Sequence, residues 1–191
     1  SVPEGQKGRY RIEKFKTDHI DFGALKHGRD VPMGETFTRL RRDNGKGDFE
    51  AWGATTVMSD TPAEYRDHAY FIHWCEGHVL LAGLGIGLVL QEVAKKKEVT
   101  KVTVVEIEQD VIDLVWPHYQ KMFGDKIEII CADIFEWKPS KGIKYNCAWY
   151  DVWDDICSDN LESMKKLHRK FGKRTGFQAS WSREQCEYLK R

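Results

Sequence analysis

Hydrophobic and polar positions alternate regularly through the second half of the chain. Short apolar runs lie at 79–82, 102–105, 127–131 and 145–150. Two segments between them, 87–97 and 109–123, repeat their apolar residues at helical spacing. Apolar runs of this length are typical of buried strands, and a period of about 3.6 residues is typical of an amphipathic helix. The alternation therefore predicts an α/β domain.

The same pattern continues toward the C-terminus. Segment 159–171 has helical spacing and is followed by Gly172, a typical helix end. Residues 176–180 predict a fifth strand, and the residues after Trp181 predict another helix. Because crossovers between parallel strands are right-handed, we expect a doubly wound, mostly parallel sheet with a short C-terminal half. Its ligand crevice should lie at the carboxyl ends of the strands.

The N-terminal part of the chain has a different pattern, rich in charge, glycine and threonine. Short β-like runs at 36–40 and 54–58 predict strands. Asn44-Gly45 predicts a hairpin turn, because both residues tolerate positive φ.

A helix start follows at residues 60–64, which combine an N-cap candidate, an early proline and an acid. We divide the chain after this helix. Residues 1–75 are expected to form a β-rich extension or lid, and residues 76–191 the α/β domain.

Composition changes this picture mainly by what it excludes. The chain has 191 residues, and its 30 basic and 30 acidic side chains cancel without forming long blocks, so we expect no nucleic-acid partner. It has no run of about 18 apolar residues and no signal-peptide pattern, which favours a cytoplasmic protein with no membrane partner. The five cysteines form no C-x-x-C pair. Because Cys131 and Cys147 lie in apolar strand patterns, we expect buried free thiols.

The candidate chemistry begins where the first apolar run meets Gly83, Gly85 and Gly87. Glycine permits backbone angles and close approaches that a Cβ blocks, so a strand can turn sharply into a helix whose first amides face a ligand. This turn predicts a nucleotide-cofactor loop. Leu88 stands where the dinucleotide fingerprint has its last glycine, so an NAD site matches less well than a site for an adenosyl sulfonium.

Three acids follow successive predicted strands: Glu106, Asp133 and Asp151. Glu106 stands roughly 20 residues beyond the glycines, as a ribose-binding acid should. Asp133 could accept a hydrogen bond from an adenine amino group. Two plainer interpretations stay open: Asp133 also fits a cap of segment 134–136, and Asp151 also fits an N-cap or a surface turn.

These motifs carry a family resemblance. Residues 53–155 resemble the class I S-adenosylmethionine-dependent methyltransferases, and within that group the spermidine-synthase-like branch. The resemblance implies a Rossmann-like methyltransferase fold, with S-adenosylmethionine or its decarboxylated form as the cofactor. The motifs that carry it are 79–87, 102–107, 131–133 and 149–151. The cofactor-binding residues that it implies are Gly83, Gly85, Gly87, Glu106, Ile107, Asp133, Ile134 and Asp151.

The resemblance also indicates where the second substrate binds. Residues 64–68 are similar to an acidic helix containing tyrosine and histidine that precedes this domain in spermidine synthases. Asp151 matches the aspartate that acts as general base in aminopropyltransferases, so it is the catalytic candidate. Trp149, Tyr150 and Trp153 flank Asp151, and aromatic faces attract cations. We therefore expect a small-molecule acceptor, with amines as one candidate class. The substrate-binding candidates are Glu64, His68, Tyr150 and Trp153.

Two departures from the family pattern affect the expected reaction. Ile86 stands where spermidine synthases have an aspartate that holds the amine of the donor, and Leu81 stands where many methyltransferases have an acid. We expect the last two strands usual in the class either to be absent from this sequence or to be replaced by the N-terminal segment.

We therefore predict an S-adenosylmethionine-dependent transferase that moves a methyl group to a small acceptor. The alternatives are a spermidine-synthase-like aminopropyltransferase that uses decarboxylated S-adenosylmethionine, and a non-catalytic adenosyl-binding module. We expect no metal, although Asp151, Asp154 and Asp155 leave Mg²⁺ as an alternative. A homodimer is compatible with the sequence.

Overall fold

A computed structural model describes residues 2–17, 32–49 and 53–190, and two sheets organise these ranges. The strands of the N-terminal sheet are β1 (Gly5–Lys7), β2 (Tyr10–Lys16), β3 (Thr36–Asp43) and β4 (Ala54–Ser59). They are antiparallel and lie in the order β1-β2-β3-β4. The β-rich N-terminal segment predicted from the sequence is therefore present.

β3 and β4 form a hairpin, but Asn44-Gly45 does not close it as a two-residue turn. Residues 44–53 connect β3 to β4, and residues 50–52 of this connection lie outside the described ranges. The Asp43 carboxylate accepts hydrogen bonds from the backbone N–H of Gly45 at 3.1 Å and of Gly47 at 2.6 Å. These bonds give the first N–H groups of a longer loop their hydrogen-bond acceptors. A two-residue turn would instead have let the two strands pair directly on either side of it.

The second sheet is parallel and has five strands. They are β5 (Gly77–Ala82), β6 (Val99–Glu106), β7 (Ile127–Cys131), β8 (Tyr145–Tyr150) and β9 (Thr175–Ser180). The order is β7-β6-β5-β8-β9. In the described ranges the α-helices are α1 (Pro62–Trp74), α2 (Leu88–Lys95), α3 (Gln109–Phe123), α4 (Asn160–Phe171) and α5 (Arg183–Leu189).

Helices cover both faces of this sheet. Val79 and Leu81 of β5 belong to a buried cluster with residues of α1, α2 and α3, whereas Leu80 and Ala82 belong to a second cluster with residues of α4. Successive strand residues point to opposite faces, so a run that is apolar throughout is buried on both sides. The predicted Rossmann-like, doubly wound fold is confirmed.

The first helix, α1, packs on the parallel sheet. Thr61 caps it by accepting a hydrogen bond from the backbone N–H of Glu64, and Pro62 occupies its first turn. Phe71 is fully buried, with ring centroids 5.1 Å from Trp149 and 6.0 Å from Phe177. The division of the chain after residue 75 remains a prediction. Although α1 precedes this division, its buried residues belong to the core of the parallel sheet.

The expectation of buried thiols is correct for three cysteines and wrong for Cys131. Cys75, Cys147 and Cys186 are buried and free, whereas Cys131 is exposed and Cys157 is intermediate. Cys131 ends β7, the edge strand of the sheet, so it lacks a neighbouring strand on one side. No helix in the described ranges is long and apolar enough to cross a membrane.

Strand register brings the predicted site residues together. Ala82 at the end of β5 pairs with Val105 of β6 and with Tyr150 of β8. The backbone N–H of Gly83 then donates to the Val105 carbonyl, and the N–H of Asp151 donates to the Ala82 carbonyl, both at 2.9 Å. The glycine turn and Asp151 therefore lie side by side at the carboxyl edge of the sheet.

Candidate functional site

The three glycines of the turn all have backbone angles that disfavour other residues. Their φ values are 93° at Gly83, 52° at Gly85 and 76° at Gly87. A Cβ on Gly83 would lie 2.0 Å from the carbonyl oxygen of Asp151. Both the backbone angle and the close approach to a neighbouring strand end therefore require glycine at this position.

The other two glycines fit against side chains from different parts of the fold. A Cβ on Gly85 would lie 2.3 Å from Sδ of Met58 on β4, and a Cβ on Gly87 would lie 2.1 Å from the ring of Tyr119 on α3. The Tyr119 hydroxyl donates to the carbonyl of Ile86 at 2.9 Å. The loop is thus held from one side by the N-terminal sheet and from the other by α3.

Glu106 fixes the same loop from the end of β6. Its side chain accepts the backbone N–H of Leu84 at 2.7 Å and that of Glu108 at 2.9 Å. Glu106 is 8% exposed, and burial raises the pKa of its carboxyl, while the hydrogen bonds from these N–H groups act in the opposite direction. Each carboxylate oxygen has a further lone pair, so these bonds leave acceptor capacity toward a ligand.

Asp133 caps the segment that follows it, as one of the two interpretations of the sequence predicts. Its Oδ1 accepts the backbone N–H of Phe135 at 2.8 Å, and its carbonyl accepts that of Trp137 at 2.7 Å. Capping uses one carboxylate oxygen and does not exclude a contact from the other. The adenine contact of Asp133 therefore remains a prediction.

A cavity of about 330 Å³ lies over these strand ends. The predicted site residues that line it are Glu64, Gly83, Gly85, Glu106, Ile107, Asp133, Ile134, Asp151 and Trp153. Gly87, His68 and Tyr150 do not line it. Most of the cofactor-binding candidates are thus brought together, while two of the four substrate-binding candidates lie outside the cavity.

Asp151 has the most perturbed environment in the cavity. Its side chain is 18% exposed, and burial raises its pKa from 3.8 to about 8. The charges of Glu64, Asp67 and Glu106 contribute to this rise, whereas the indole N–H of Trp149 lowers the pKa. A carboxyl with this pKa is mostly protonated at pH 7 and becomes a base of moderate strength above pH 8.

His68 lies behind Asp151. Its ring is fully buried, its Nε2 lies 3.9 Å from Oδ2 of Asp151, and its edge meets the face of Trp149 at 5.5 Å between ring centroids. This position supports Asp151 and gives His68 no direct contact with the cavity.

The two aromatic residues at the end of β8 point in opposite directions. Trp149 lines the cavity, whereas Tyr150 is fully buried on the α4 side, where its hydroxyl donates to Oε1 of Gln178 at 3.0 Å. The structure therefore does not support Tyr150 as a substrate contact, because neighbouring strand residues alternate between faces. Trp153 lines the cavity, and its indole N–H donates to Oγ of Ser163 at 2.8 Å.

Sequence analysis missed one wall of the cavity. Five of its lining residues come from the N-terminal sheet and one from the end of β9: Tyr10, Leu40, Arg42, Val57, Met58 and Trp181. Arg42 forms an ion pair with Asp154 that joins this sheet to the loop after β8. Burial raises the pKa of Tyr10 to about 12. Alternating residues predicted the strands, but they carried no signal for the surface on which the sheet packs.

Within residues 2–17, 32–49 and 53–190, no three side chains of histidine, cysteine, aspartate or glutamate are grouped so that they could hold a metal ion. Asp154 is paired with Arg42.

Comparison with known proteins identifies relatives of the chain. Residues 67–174 match the model of the spermine/spermidine synthase domain family. Polyamine aminopropyltransferase 2 of Caldanaerobacter subterraneus subsp. tengcongensis is 27% identical over 182 residues, which are 88% of this chain and 58% of that protein. Polyamine aminopropyltransferase of Oceanobacillus iheyensis is 27% identical over 121 residues, 56% of this chain and 23% of that protein. The chain thus spans little more than half the length of the longer match.

Among solved structures, an S-adenosylmethionine-dependent methyltransferase from Clostridium acetobutylicum is similar over 58% of this chain and 43% of its own, with a TM-score of 0.42 and 15% identity.

Proposed function

The chain belongs to the spermine/spermidine synthase family, and on that premise we propose that it transfers an aminopropyl group from decarboxylated S-adenosylmethionine to a small amine. The sequence motifs favour methyl transfer, with this reaction as an alternative. The named relatives, both polyamine aminopropyltransferases, favour the alternative. The observation that carries the proposal is the partly buried Asp151 carboxyl beside the glycine turn, inside one cavity.

The residues of the turn fit an adenosyl ligand. Gly83 and Gly85 line the cavity, and their lack of a Cβ lets the turn lie directly against Asp151 and Met58 at the cavity wall. Glu106 would hold the ribose hydroxyls with the acceptor capacity that remains after its two backbone bonds. Asp133 and Ile134 line the part of the cavity where the adenine would lie.

Asp151 would receive the proton of the acceptor. A bound sulfonium supplies a carbon that is already activated for displacement, so the protein has to position the amine and remove its proton. A carboxyl with a pKa of about 8 is far closer to the pKa of an alkylamine than an ordinary aspartate is, which makes the proton transfer less uphill.

Acidic groups around Asp151 suit a cationic acceptor. The charges of Glu64 and Asp67 both act on Asp151, and Glu64 lines the cavity beside it. A bound ammonium group would offset this repulsion and lower the pKa of Asp151 toward neutrality. Trp153 would contribute an aromatic wall to the same part of the cavity.

Methyl transfer from S-adenosylmethionine remains the second candidate, because one observation favours it. Ile86 in the glycine turn is 4% exposed, and its side chain does not line the cavity. The turn therefore offers no carboxylate for the amine of a decarboxylated donor.

Product analysis with two donors tests the proposal. The purified protein is incubated with decarboxylated S-adenosylmethionine or S-adenosylmethionine, each with a panel of diamines, polyamines and small hydroxyl compounds. Methylthioadenosine and an aminopropylated amine are expected with the first donor. S-adenosylhomocysteine formed only with the second donor would replace the proposal with methyl transfer. Donor binding without any product would support the non-catalytic module.

A further inference from the structure

Trp149 carries an indole N–H at the wall of the cavity. Its ring is 4% exposed and lines the cavity, and its indole Nε1 is buried without a partner at hydrogen-bond geometry among the described residues. A buried donor that makes no hydrogen bond costs about 1–3 kcal/mol, so its presence in a cavity wall calls for an explanation.

Asp151 lies on the same face of the strand end, two residues after Trp149. Alternate residues of a strand share a face, and both side chains line the cavity. The indole N–H lowers the pKa of Asp151, in contrast to the acids around it. The indole N–H and the carboxylate are therefore neighbours at the wall of the cavity.

The position of the Trp149 ring is fixed by its packing. Its ring centroid lies 5.1 Å from that of Phe71 and 5.5 Å from that of His68, and both partners are fully buried on α1. His68 Nε2 in turn lies 3.9 Å from Oδ2 of Asp151. The Trp149 ring therefore packs against buried rings of α1, one of which also lies beside the Asp151 carboxylate.

We propose that Trp149 is a positioning residue for Asp151: its indole N–H donates to one carboxylate oxygen and leaves the other oxygen facing the acceptor. The proposal rests on the assignment of Asp151 as the general base under Proposed function. A single hydrogen bond that favours the ionised form keeps the carboxylate available as a base despite its burial and acidic neighbours.

Groups from three elements influence the pKa of Asp151 or lie beside its carboxylate. Glu64, Asp67 and His68 face it from α1, Glu106 faces it from β6, and Trp149 precedes it on β8. The Trp149 indole is uncharged at every pH, so removal of its N–H changes the pKa of Asp151 without changing the net charge of the site.

Carboxyl titration of the ligand-free protein by carbon-13 NMR tests the proposal directly. Trp149→Phe removes the N–H and keeps an aromatic ring against Phe71 and His68. The pKa of Asp151 is expected to rise by about one pH unit in this variant. Trp137→Phe is the matched control, since Trp137 stacks on Phe171 outside the cavity, and should leave that pKa unchanged. An unchanged pKa in folded Trp149→Phe would overturn the proposal.

A second measurement uses the unsubstituted chain and does not depend on how a variant folds. The nitrogen-15 and proton shifts of the Trp149 indole should titrate with the midpoint of Asp151 and lose this transition in Asp151→Asn. An indole signal that does not titrate would reject the contact.

Neither NMR measurement needs turnover, so a protein without transferase activity would refute the proposed function and leave the contact separately measurable. If the protein is active, the acid limb of the kcat/KM profile should move to higher pH in Trp149→Phe by the same amount as the carboxyl pKa. A loss of kcat at all pH values without that displacement would assign Trp149 a purely structural role.

Discussion

The carbonyl oxygen of Asp151 occupies the space where a side chain on residue 83 would begin, 2.0 Å from the position of a Cβ on Gly83. The glycine turn and the proposed base are therefore in direct backbone contact. Loop and strand end can approach this closely because residue 83 has no side chain, so the two halves of the site depend on one another.

Gly83→Ala is expected to disrupt both binding and folding. The new methyl group meets a backbone atom that cannot move aside, and φ of 93° strains any residue with a Cβ. We expect a loss of about 2–4 kcal/mol in the free energy of unfolding and a loss of adenosyl-ligand binding. Urea denaturation and calorimetric titration measure the two effects.

Gly34→Ala is the matched control for this change. Gly34 has a φ of 80° but no atom within 4 Å of its Cβ position, so it isolates the cost of the backbone angle. We expect Gly34→Ala to lower the free energy of unfolding by about 1 kcal/mol and to leave adenosyl-ligand binding unchanged. Equal effects of the two substitutions would mean that the close contact with Asp151 has no energetic importance.

The transfer rate should follow the ionisation of Asp151. With a pKa of about 8, kcat/KM for the free protein should rise about tenfold per pH unit below pH 8 and level off above it. Asp151→Asn should lower the plateau rate above pH 8 at least about 100-fold, and the difference should shrink at lower pH, where the carboxyl of the unsubstituted protein is protonated. A plateau that already begins near pH 5 would assign proton transfer to another group.

The same carboxyl makes folding stability depend on pH. Its pKa is about 8 when folded and near 3.8 when unfolded, so between these values the folded state binds more protons and the free energy of unfolding falls as pH rises. Asp151→Asn should therefore stabilise the protein by roughly 1–3 kcal/mol at pH 8.5 and have little effect at pH 4. Urea denaturation at the two pH values measures the difference.

Glu106 is expected to be essential for adenosyl binding. Glu106→Ala removes the ribose acceptor and the partner of two backbone N–H groups, and should weaken methylthioadenosine binding at least about 30-fold. Glu106→Gln retains an acceptor oxygen and should lose less. Glu128→Ala, at a half-exposed carboxylate paired with Lys101, should bind normally in the same calorimetric titration. Full binding by Glu106→Ala would exclude the ribose assignment.

Much of the parallel sheet could be predicted because its signals are local. Segments 127–131 and 145–150 are strands with the predicted bounds, and 109–123 is a helix with the predicted bounds. The carboxyl edge followed from strand direction, which placed Glu106 and Asp151 at one cavity. Periodicity and crossover handedness are sufficient for this level of description.

The parts that were missed depend on packing between distant segments. Tyr150 and Trp149 are adjacent aromatic residues, and the sequence could not tell which face of β8 the cavity would occupy. Met58 and Arg42 reach the site because the N-terminal sheet packs over the glycine turn, and no local pattern records that contact. The raised pKa of Asp151 is likewise a property of burial and of acids on other elements.

The hydrogen bonds from Leu84 and Glu108 to Glu106 have a consequence for how quickly a ligand can associate. The cradle acquires its shape when the chain folds, so little conformational entropy remains to be lost in this loop on encounter. Association at this edge should then resemble docking to a rigid surface, with a rate that depends on diffusion and orientation. Differences in affinity between ligands should then come mainly from their dissociation rates.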